Sequence, residues 1–172
     1  MAYENYGTGV YGIRYNAGAP VAGTNEVQTA TFGGTWLAGD TFVLSLDGRR
    51  TAAIPWSATN ATLLASVQTA LNAISGTNWI VPTAGTLAAG LGTMLLTFSG
   101  GDYARRAVNT ITVPTITSAA GTLTVAETTP GVTQTGRDIV PGAMLLDTTN
   151  NKLYINTGSA GSPTWTVVGT QV

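Results

Sequence analysis

The chain has 172 residues, a length that suits one medium-sized domain or one domain with a small appendage, and that can bury a core without a metal or a disulfide. It contains neither cysteine nor histidine, which excludes a disulfide framework and thiolate zinc sites and argues against hydrolytic triads and most other metal sites. Only 9% of the residues are charged and the formal net charge is −1, so no overall charge favours nucleic acid or an anionic membrane as a partner.

The low charge bears on assembly. A typical soluble domain has about 25% charged residues, and a surface that is buried against neighbouring subunits needs fewer. A fibrous or secreted β protein rich in Thr and Ser would have a similar composition. No run of residues approaches the roughly 18 apolar positions of a membrane span, and the first residues lack the basic and apolar regions of a signal peptide. We therefore expect synthesis in a cytoplasm, no secretory export and no membrane partner.

Residues 1–24 are predicted to form an N-terminal arm, because they are rich in glycine and tyrosine. A free disordered tail rarely concentrates aromatic residues, so we expect this arm to pack on a surface. One hypothesis is that the arm binds a partner through its tyrosines and its arginine; the alternative is that it folds onto its own domain. The residues expected at the contact are Tyr3, Tyr6, Tyr11, Arg14 and Tyr15.

Residues 25–126 are predicted to form the main, β-rich domain. Phe42, Leu44 and Leu46 alternate with other residues as in a half-buried strand, and the Asp47-Gly48 that follows is typical of a tight hairpin turn. Strands are predicted at 27–32, 41–46, 49–56, 79–81, 93–99, 107–113 and 123–126.

One segment of this domain has helical instead of strand periodicity. Residues 60–75 are predicted to form an amphipathic helix that begins after capping side chains at 57–60 and ends at Ser75-Gly76. Its apolar stripe, expected to face a sheet, consists of Leu64, Val67, Leu71 and Ile74. One helix among many strands predicts a mainly β (α+β) fold, with an antiparallel β-sandwich-like domain.

The polar residues 127–136 are predicted to be a linker to a small C-terminal β unit, residues 137–172. Its predicted strands are 143–147, 152–156 and 165–168. Three strands make a poor core of their own, so this unit must pack on the main domain or on copies of itself. Oligomerisation is the simpler solution, and the residues expected at the interface are Leu153, Tyr154 and Trp165.

The sequence contains no recognisable catalytic constellation, and we expect no enzyme activity, no cofactor and no metal. The acidic residues are scattered without a close pair, and the single lysine, Lys152, belongs to no phosphate-binding glycine loop. The oxygen-rich turn at 147–151 is a possible calcium site, but such turns usually hydrogen-bond to their own backbone.

The four tryptophans allow two interpretations. A sugar-binding platform needs exposed aromatic rings, and Trp36 lies in a glycine-flanked loop. The favoured interpretation places Trp56 and Trp79 in the core beside the helix, with Trp36 and Trp165 partly buried at interfaces.

Two stretches of the sequence resemble tailed-bacteriophage virion proteins. The first covers roughly residues 25–113 and consists of Asn25-Glu26-Val27-Gln28-Thr29, Asp40-Thr41-Phe42, Asp47-Gly48, Thr51-Ala52-Ala53-Ile54 and a helix with Gln68 and Leu71. The second is similar to a unit of phage fibre and head-decoration proteins, and runs from Gly142 through Asp147-Thr148-Thr149-Asn150-Asn151-Lys152-Leu153-Tyr154-Ile155 to Trp165.

The resemblance implies a structural protein of the virion, most like a capsid decoration (cement or head-fibre) protein. Its partners would be the major capsid protein and further copies of itself in a homotrimer. The resemblance does not include the N-terminal arm, so contact between the arm and the capsid is a hypothesis that rests on the tyrosines and the arginine of the arm. It would be synthesised in the host cytoplasm and reside on the capsid surface. The alternative function is a receptor- or glycan-binding module of a head fibre or tail tip.

Overall fold

The computed structural model of the chain describes residues 14–16 (backbone only), 18–135, 140–159 and 163–169. Two compact units are present. The sandwich unit is Gly23–Thr133, and the terminal unit combines Met1–Ala22 with Gln134–Val172. The described strands in chain order are β1 (Arg14–Asn16), β2 (Val27–Thr35), β3 (Thr41–Leu46), β4 (Arg49–Arg50), β5 (Ile54–Pro55), β6 (Ile80–Ala84), β7 (Gly92–Phe98), β8 (Thr112–Ile116), β9 (Ala120–Thr129), β10 (Met144–Asp147), β11 (Lys152–Asn156) and β12 (Trp165–Val167). The helix α1 is Asn60–Ile74, and a short 3-10 turn spans Gly101–Tyr103.

The sandwich unit contains two sheets with antiparallel pairing. One has the strand order β6-β7-β2-β9; in the other, β3 pairs with β4, β5 and β8. Side chains alternate between the two faces of each strand, so Phe42, Leu44 and Leu46 of β3 are buried while the residues between them are half-buried. This arrangement confirms the predicted mainly β, sandwich-like fold with one helix.

An aromatic cluster occupies part of the core. Phe32, Phe42 and Trp36 meet edge to face or tilted, with ring centroids 5.3–6.0 Å apart, and Trp36 stacks on Trp56 at 6.2 Å. The Trp36 indole N–H donates to Gly33 O at 2.9 Å, which satisfies its polar group inside the core. Trp36 is only 6% exposed, so it is a core residue, not a sugar-binding platform.

The helix buries a stripe that differs from the predicted one at its first turn. Val67 and Leu71 are fully buried as predicted, but the first-turn contact is made by Leu63, and Leu64 and Ile74 are only partly buried against the core. Asn60 ties the start of the helix to a loop, because its side chain accepts from Gly90 N and donates to Leu87 O. These two hydrogen bonds connect the first turn of α1 to a loop about 30 residues further along the chain.

Three predicted strands differ most from the structure. The strand predicted at 107–113 is β8 at 112–116, because residues 104–111 form a loop that is held by the side chains of Glu26, just before β2, and Gln28, within β2. The strand predicted at 123–126 extends from 120 to 129, and its last residues lie within the predicted linker, where they pair with β2. The strand predicted at 49–56 is interrupted between β4 and β5, where Thr51 N–H bonds to Leu44 O.

The terminal unit is a four-stranded sheet in the order β1-β10-β11-β12. Its C-terminal strands form the antiparallel three-stranded arrangement that the sequence predicts. The additional strand is β1, which comes from the N-terminal segment and pairs in parallel with β10, with Arg14 opposite Leu145 and Asn16 opposite Asp147. Part of the predicted arm is therefore a sheet strand of its own chain.

Leu71→Ala should lower the free energy of unfolding by about 2–5 kcal/mol, because it removes buried side-chain atoms and leaves a cavity between helix and sheet. Urea denaturation measures the change. Leu37→Ala is the matched control: Leu37 is 63% exposed, and its truncation should change stability by less than about 0.5 kcal/mol. Equal effects of the two variants would contradict the packing described for α1.

Candidate functional site

Two buried polar side chains hold the 104–111 loop in place. The Glu26 carboxylate accepts from Val108 N–H through Oε2 and from Gln28 Nε2 through Oε1, both at 2.6 Å. Gln28 also accepts from Ile111 N–H at 2.8 Å and donates to Asn109 O at 3.1 Å. Gln28 lies on the inner face of β2, Glu26 directly precedes that strand, and both side chains are fully buried. They satisfy the backbone of a loop that has no ladder partner, which is the structural role of the Asn25-Glu26-Val27-Gln28 pattern.

The loop forms one wall of a polar cleft in the sandwich unit, with a volume of about 390 Å³. Two side-chain hydrogen bonds hold lining residues of this cleft to other parts of the sandwich unit. Asn109 Nδ2 donates to Asp47 Oδ1 at 2.7 Å, and Arg49 Nη1 donates to Ile74 O at 2.8 Å, at the end of α1. The lining residues are Asp47, Arg49, Ser75, Trp79, Asp102, Tyr103, Arg106, Ala107, Val108 and Asn109.

The aromatic part of the cleft is held tightly. Trp79 and Tyr103 meet edge to face with ring centroids 6.2 Å apart, and Tyr103 meets Phe98 in the same way at 5.9 Å. The backbone approaches the indole so closely that a Cβ at Gly76 would lie 2.6 Å from it, and one at Gly101 2.1 Å. Both glycines also have positive φ, so two separate constraints require glycine at each position.

Charges of both signs surround the Tyr103 hydroxyl. Burial raises the pKa of Tyr103 above its usual value, and the nearby carboxylates of Asp47 and Asp102 raise it further, while the guanidinium groups of Arg49 and Arg106 oppose them. Tyr103 therefore stays protonated at neutral pH and can donate as well as accept a hydrogen bond.

The charges of the sandwich unit are concentrated here. Between residues 23 and 133 the sequence has nine charged side chains, of which four line the cleft and two more, Arg50 and Arg105, are their neighbours in sequence. The other three are Glu26, which is buried, Asp40, which accepts from Leu37 N–H, and Glu127 near the end of β9. The rest of this unit's surface is uncharged.

The outer face of the β6-β7-β2-β9 sheet is one such uncharged surface, here called the threonine face. The register brings Thr31 between Thr93 and Thr124, and Thr29 between Leu95 and Ala126. The hydroxyls of Thr29 and Thr128 also bond to each other. The face consists of Val27, Thr29, Thr31, Val81, Thr83, Thr93, Leu95, Thr97, Thr122, Thr124, Ala126 and Thr128.

In the terminal unit, the residues of the second resemblance have structural roles. Asp147 Oδ1 accepts from the backbone N–H groups of Gly18, Thr149 and Asn150, and Oδ2 accepts from Asn150 Nδ2. The turn therefore hydrogen-bonds to itself, as is usual for this composition. Asn156 Oδ1 accepts from Gly158 and Thr164, and the Trp165 indole donates to Thr135 O.

The Asp147 carboxyl group responds to burial and to hydrogen bonding in opposite directions. Burial alone would raise its pKa, but the bonds from the Asn150 side chain and from the backbone of Asn150, Thr149 and Gly18 outweigh it, so the pKa lies below its usual value of 3.8. The ionised form is thus the one that the fold stabilises.

The predicted contact residues do not form one patch. Leu153 and Tyr154 are half-buried neighbours in β11 and so point to opposite faces of the sheet. Trp165, opposite Asn156, shares the face of Tyr154. In the predicted arm, Tyr3, Tyr6 and Tyr11 lie outside the described residues, and Arg14 and Tyr15 are described only as backbone of β1. The hypotheses of capsid contact and of an oligomer interface at these residues stay predictions.

The described residues contain no group of three His, Cys, Asp or Glu side chains placed to hold a metal ion. Within the same part of the chain, no helix has the length and apolar character needed to cross a membrane. Comparison with models of known protein families gives no match, and comparison with curated protein sequences gives none either.

Gln28→Leu should lower the free energy of unfolding by about 1–3 kcal/mol, because it leaves Ile111 N–H and one Glu26 oxygen buried without their partner. Urea denaturation gives the change in stability, and hydrogen exchange should show faster exchange at Val108 and Ile111 than at Thr51, whose N–H bonds to Leu44 O. Unchanged stability and exchange would show that the loop is held by other contacts.

Acidification should loosen the turn at Asp147. Because its pKa is lowered by folding, the carboxylate stabilises the fold above the unfolded value of about 3.8 and this contribution is lost as the pH falls through the lower folded value. Hydrogen exchange between pH 6 and pH 2 should show declining protection at Gly18, Thr149 and Asn150. In Asp147→Asn these amides should be poorly protected at pH 6 with little further pH dependence; a wild-type response in that variant would assign the transition to another group.

Proposed function

We propose that this protein is a non-enzymatic structural protein of a bacteriophage virion that binds the outside of the assembled capsid and stabilises it. The observation that carries the proposal is the threonine face. It is a sheet surface composed of threonine together with Val, Leu and Ala, and no charged residue is among its members. Such a surface can be buried against another protein without the cost of desolvating charge.

The resemblance in the sequence supports the same proposal. Three residues of the resembling stretches, Glu26, Gln28 and Asp147, serve the scaffold through buried hydrogen bonds. A scaffold of this kind leaves outward surfaces available for contact with a partner. A decoration protein needs that combination, because it must be folded before it reaches a preassembled shell.

The mechanism we propose is thermodynamic. A protein that binds the assembled shell, and not its dissociated subunits, stabilises the shell by mass action. The major capsid protein would be the partner, and a homotrimer would touch several capsid subunits at once, so that modest contacts per copy add up through effective concentration. Synthesis would take place in the host cytoplasm and the mature location would be the capsid surface.

Thr31→Lys tests the threonine face. Thr31 is exposed between Thr93 and Thr124, so a lysine there should be tolerated by the fold but would place a charge in the contact. We expect stability to change by less than about 0.5 kcal/mol, and affinity for particles stripped of the protein to fall by about tenfold or more, equivalent to about 1.4 kcal/mol. Co-sedimentation with stripped particles measures the binding.

Ala65→Lys is the matched control, since Ala65 is exposed on α1, outside the threonine face. It should bind particles like the unsubstituted protein. Equal binding of Thr31→Lys and Ala65→Lys would remove the threonine face as the contact. Failure of the unsubstituted protein to bind any stripped particle, or its absence from purified virions by mass spectrometry, would refute the proposed function itself.

A further inference from the structure

We propose that the polar cleft of the sandwich unit binds a neutral saccharide. The cleft lies between the Asp47 turn and the 101–109 segment, apart from the threonine face, and its volume of about 390 Å³ falls at the lower end of the roughly 300–1,000 Å³ typical of small-ligand sites. The inference is independent of capsid binding, because the two surfaces share no residue.

The balance of charge indicates the class of ligand. Asp47 and Asp102 line the cleft together with Arg49 and Arg106, so the formal charges of the lining cancel. An anionic ligand would meet two carboxylates, and a cationic ligand would meet two guanidinium groups. A neutral ligand with many hydroxyl groups can instead donate to the carboxylates and accept from the guanidinium groups at the same time.

The hydrogen-bonding capacity of the cleft fits such a ligand. The Arg106 guanidinium makes two contacts inside the protein, to Ala107 O and Asp102 O, and both are at 3.4 Å, the outer limit of a hydrogen bond. With five N–H groups, Arg106 can exchange these weak contacts for bonds to a ligand. The Tyr103 hydroxyl adds a group that both donates and accepts.

The cleft is also organised in advance. Trp79 is wedged against the backbone at Gly76 and Gly101, Asn109 is tied to Asp47, and Arg49 is tied to the end of α1. The Glu26 and Gln28 side chains hold the 104–111 wall from behind. These contacts reduce the conformational freedom that Trp79, Asp47, Arg49 and the loop backbone lose on binding, which favours recognition of a small polar ligand whose hydration must be replaced bond for bond.

The experiment is a glycan array probed with the full-length protein. The array carries neutral hexose and N-acetylhexosamine oligosaccharides, with uronic-acid, sialylated and amino-sugar oligomers as charged comparisons. We expect binding to at least one neutral oligosaccharide, confirmed by titration of the tryptophan fluorescence. Arg106→Ala and Tyr103→Phe should each weaken it by about tenfold or more.

Arg50→Ala is the matched control, because Arg50 is exposed beside Arg49 in sequence but does not line the cleft. It and Thr31→Lys should bind the saccharide like the unsubstituted protein. Binding to charged glycans alone, no binding to any neutral glycan, or full binding by both Arg106→Ala and Tyr103→Phe would each overturn the proposal. None of these results would bear on capsid binding, which Thr31→Lys tests separately.

Discussion

The buried hydrogen bonds of Glu26 and Gln28 are the interaction on which the rest of the sandwich unit depends. A carboxylate and an amide without solvent contact are costly unless every polar atom is paired, and here both are paired with each other and with the backbone at 108–111. The same bonds fix the path of residues 108–111 immediately before β8, and with it the position of Asn109 in the wall of the cleft. One pair of side chains thus connects β2 to the loop at residues 104–111, which forms a wall of the cleft.

The parts of the fold that local sequence patterns specify could be predicted, and those that depend on contacts distant in sequence could not. β3 was predictable because alternation of Phe42, Leu44 and Leu46 is a local signal. The 107–113 strand prediction was wrong at its start because Val108 and Ile111 have strand-like character, while their N–H groups bond to side chains about 80 residues away. The choice between Leu63 and Leu64 was likewise decided by the distant contacts of Asn60 with Leu87 and Gly90. The cleft was missed altogether, since its residues come from three separate segments, 47–49, 75–79 and 102–109.

The distribution of charge gives the low overall charge a more specific meaning. A chain with few charged residues could spread them evenly to maintain solubility, but here the sandwich unit concentrates them around the cleft and leaves the threonine face without any. The threonine hydroxyls keep that face hydrated when it is exposed, and their methyl groups make it apolar enough to be buried. A face of this kind is compatible with both a free and an assembled state, which an aliphatic face would not be.

The connectivity of the chain places the sandwich unit, in sequence, inside the terminal unit. β1 and β10 pair although more than 120 residues separate them, which would be an expensive loop to close in an unfolded chain. Folding of the sandwich unit reduces that cost, because the bridge between Thr24 and Val132 already brings the two ends of the insert together. Val21 and Thr135 then bond to each other in both directions, next to the bridge in sequence. The terminal sheet therefore gains its fourth strand at the entropic cost of closing a short segment instead of a whole domain. In this way a unit that is too small to be stable from local contacts alone can acquire a strand from the other end of the chain.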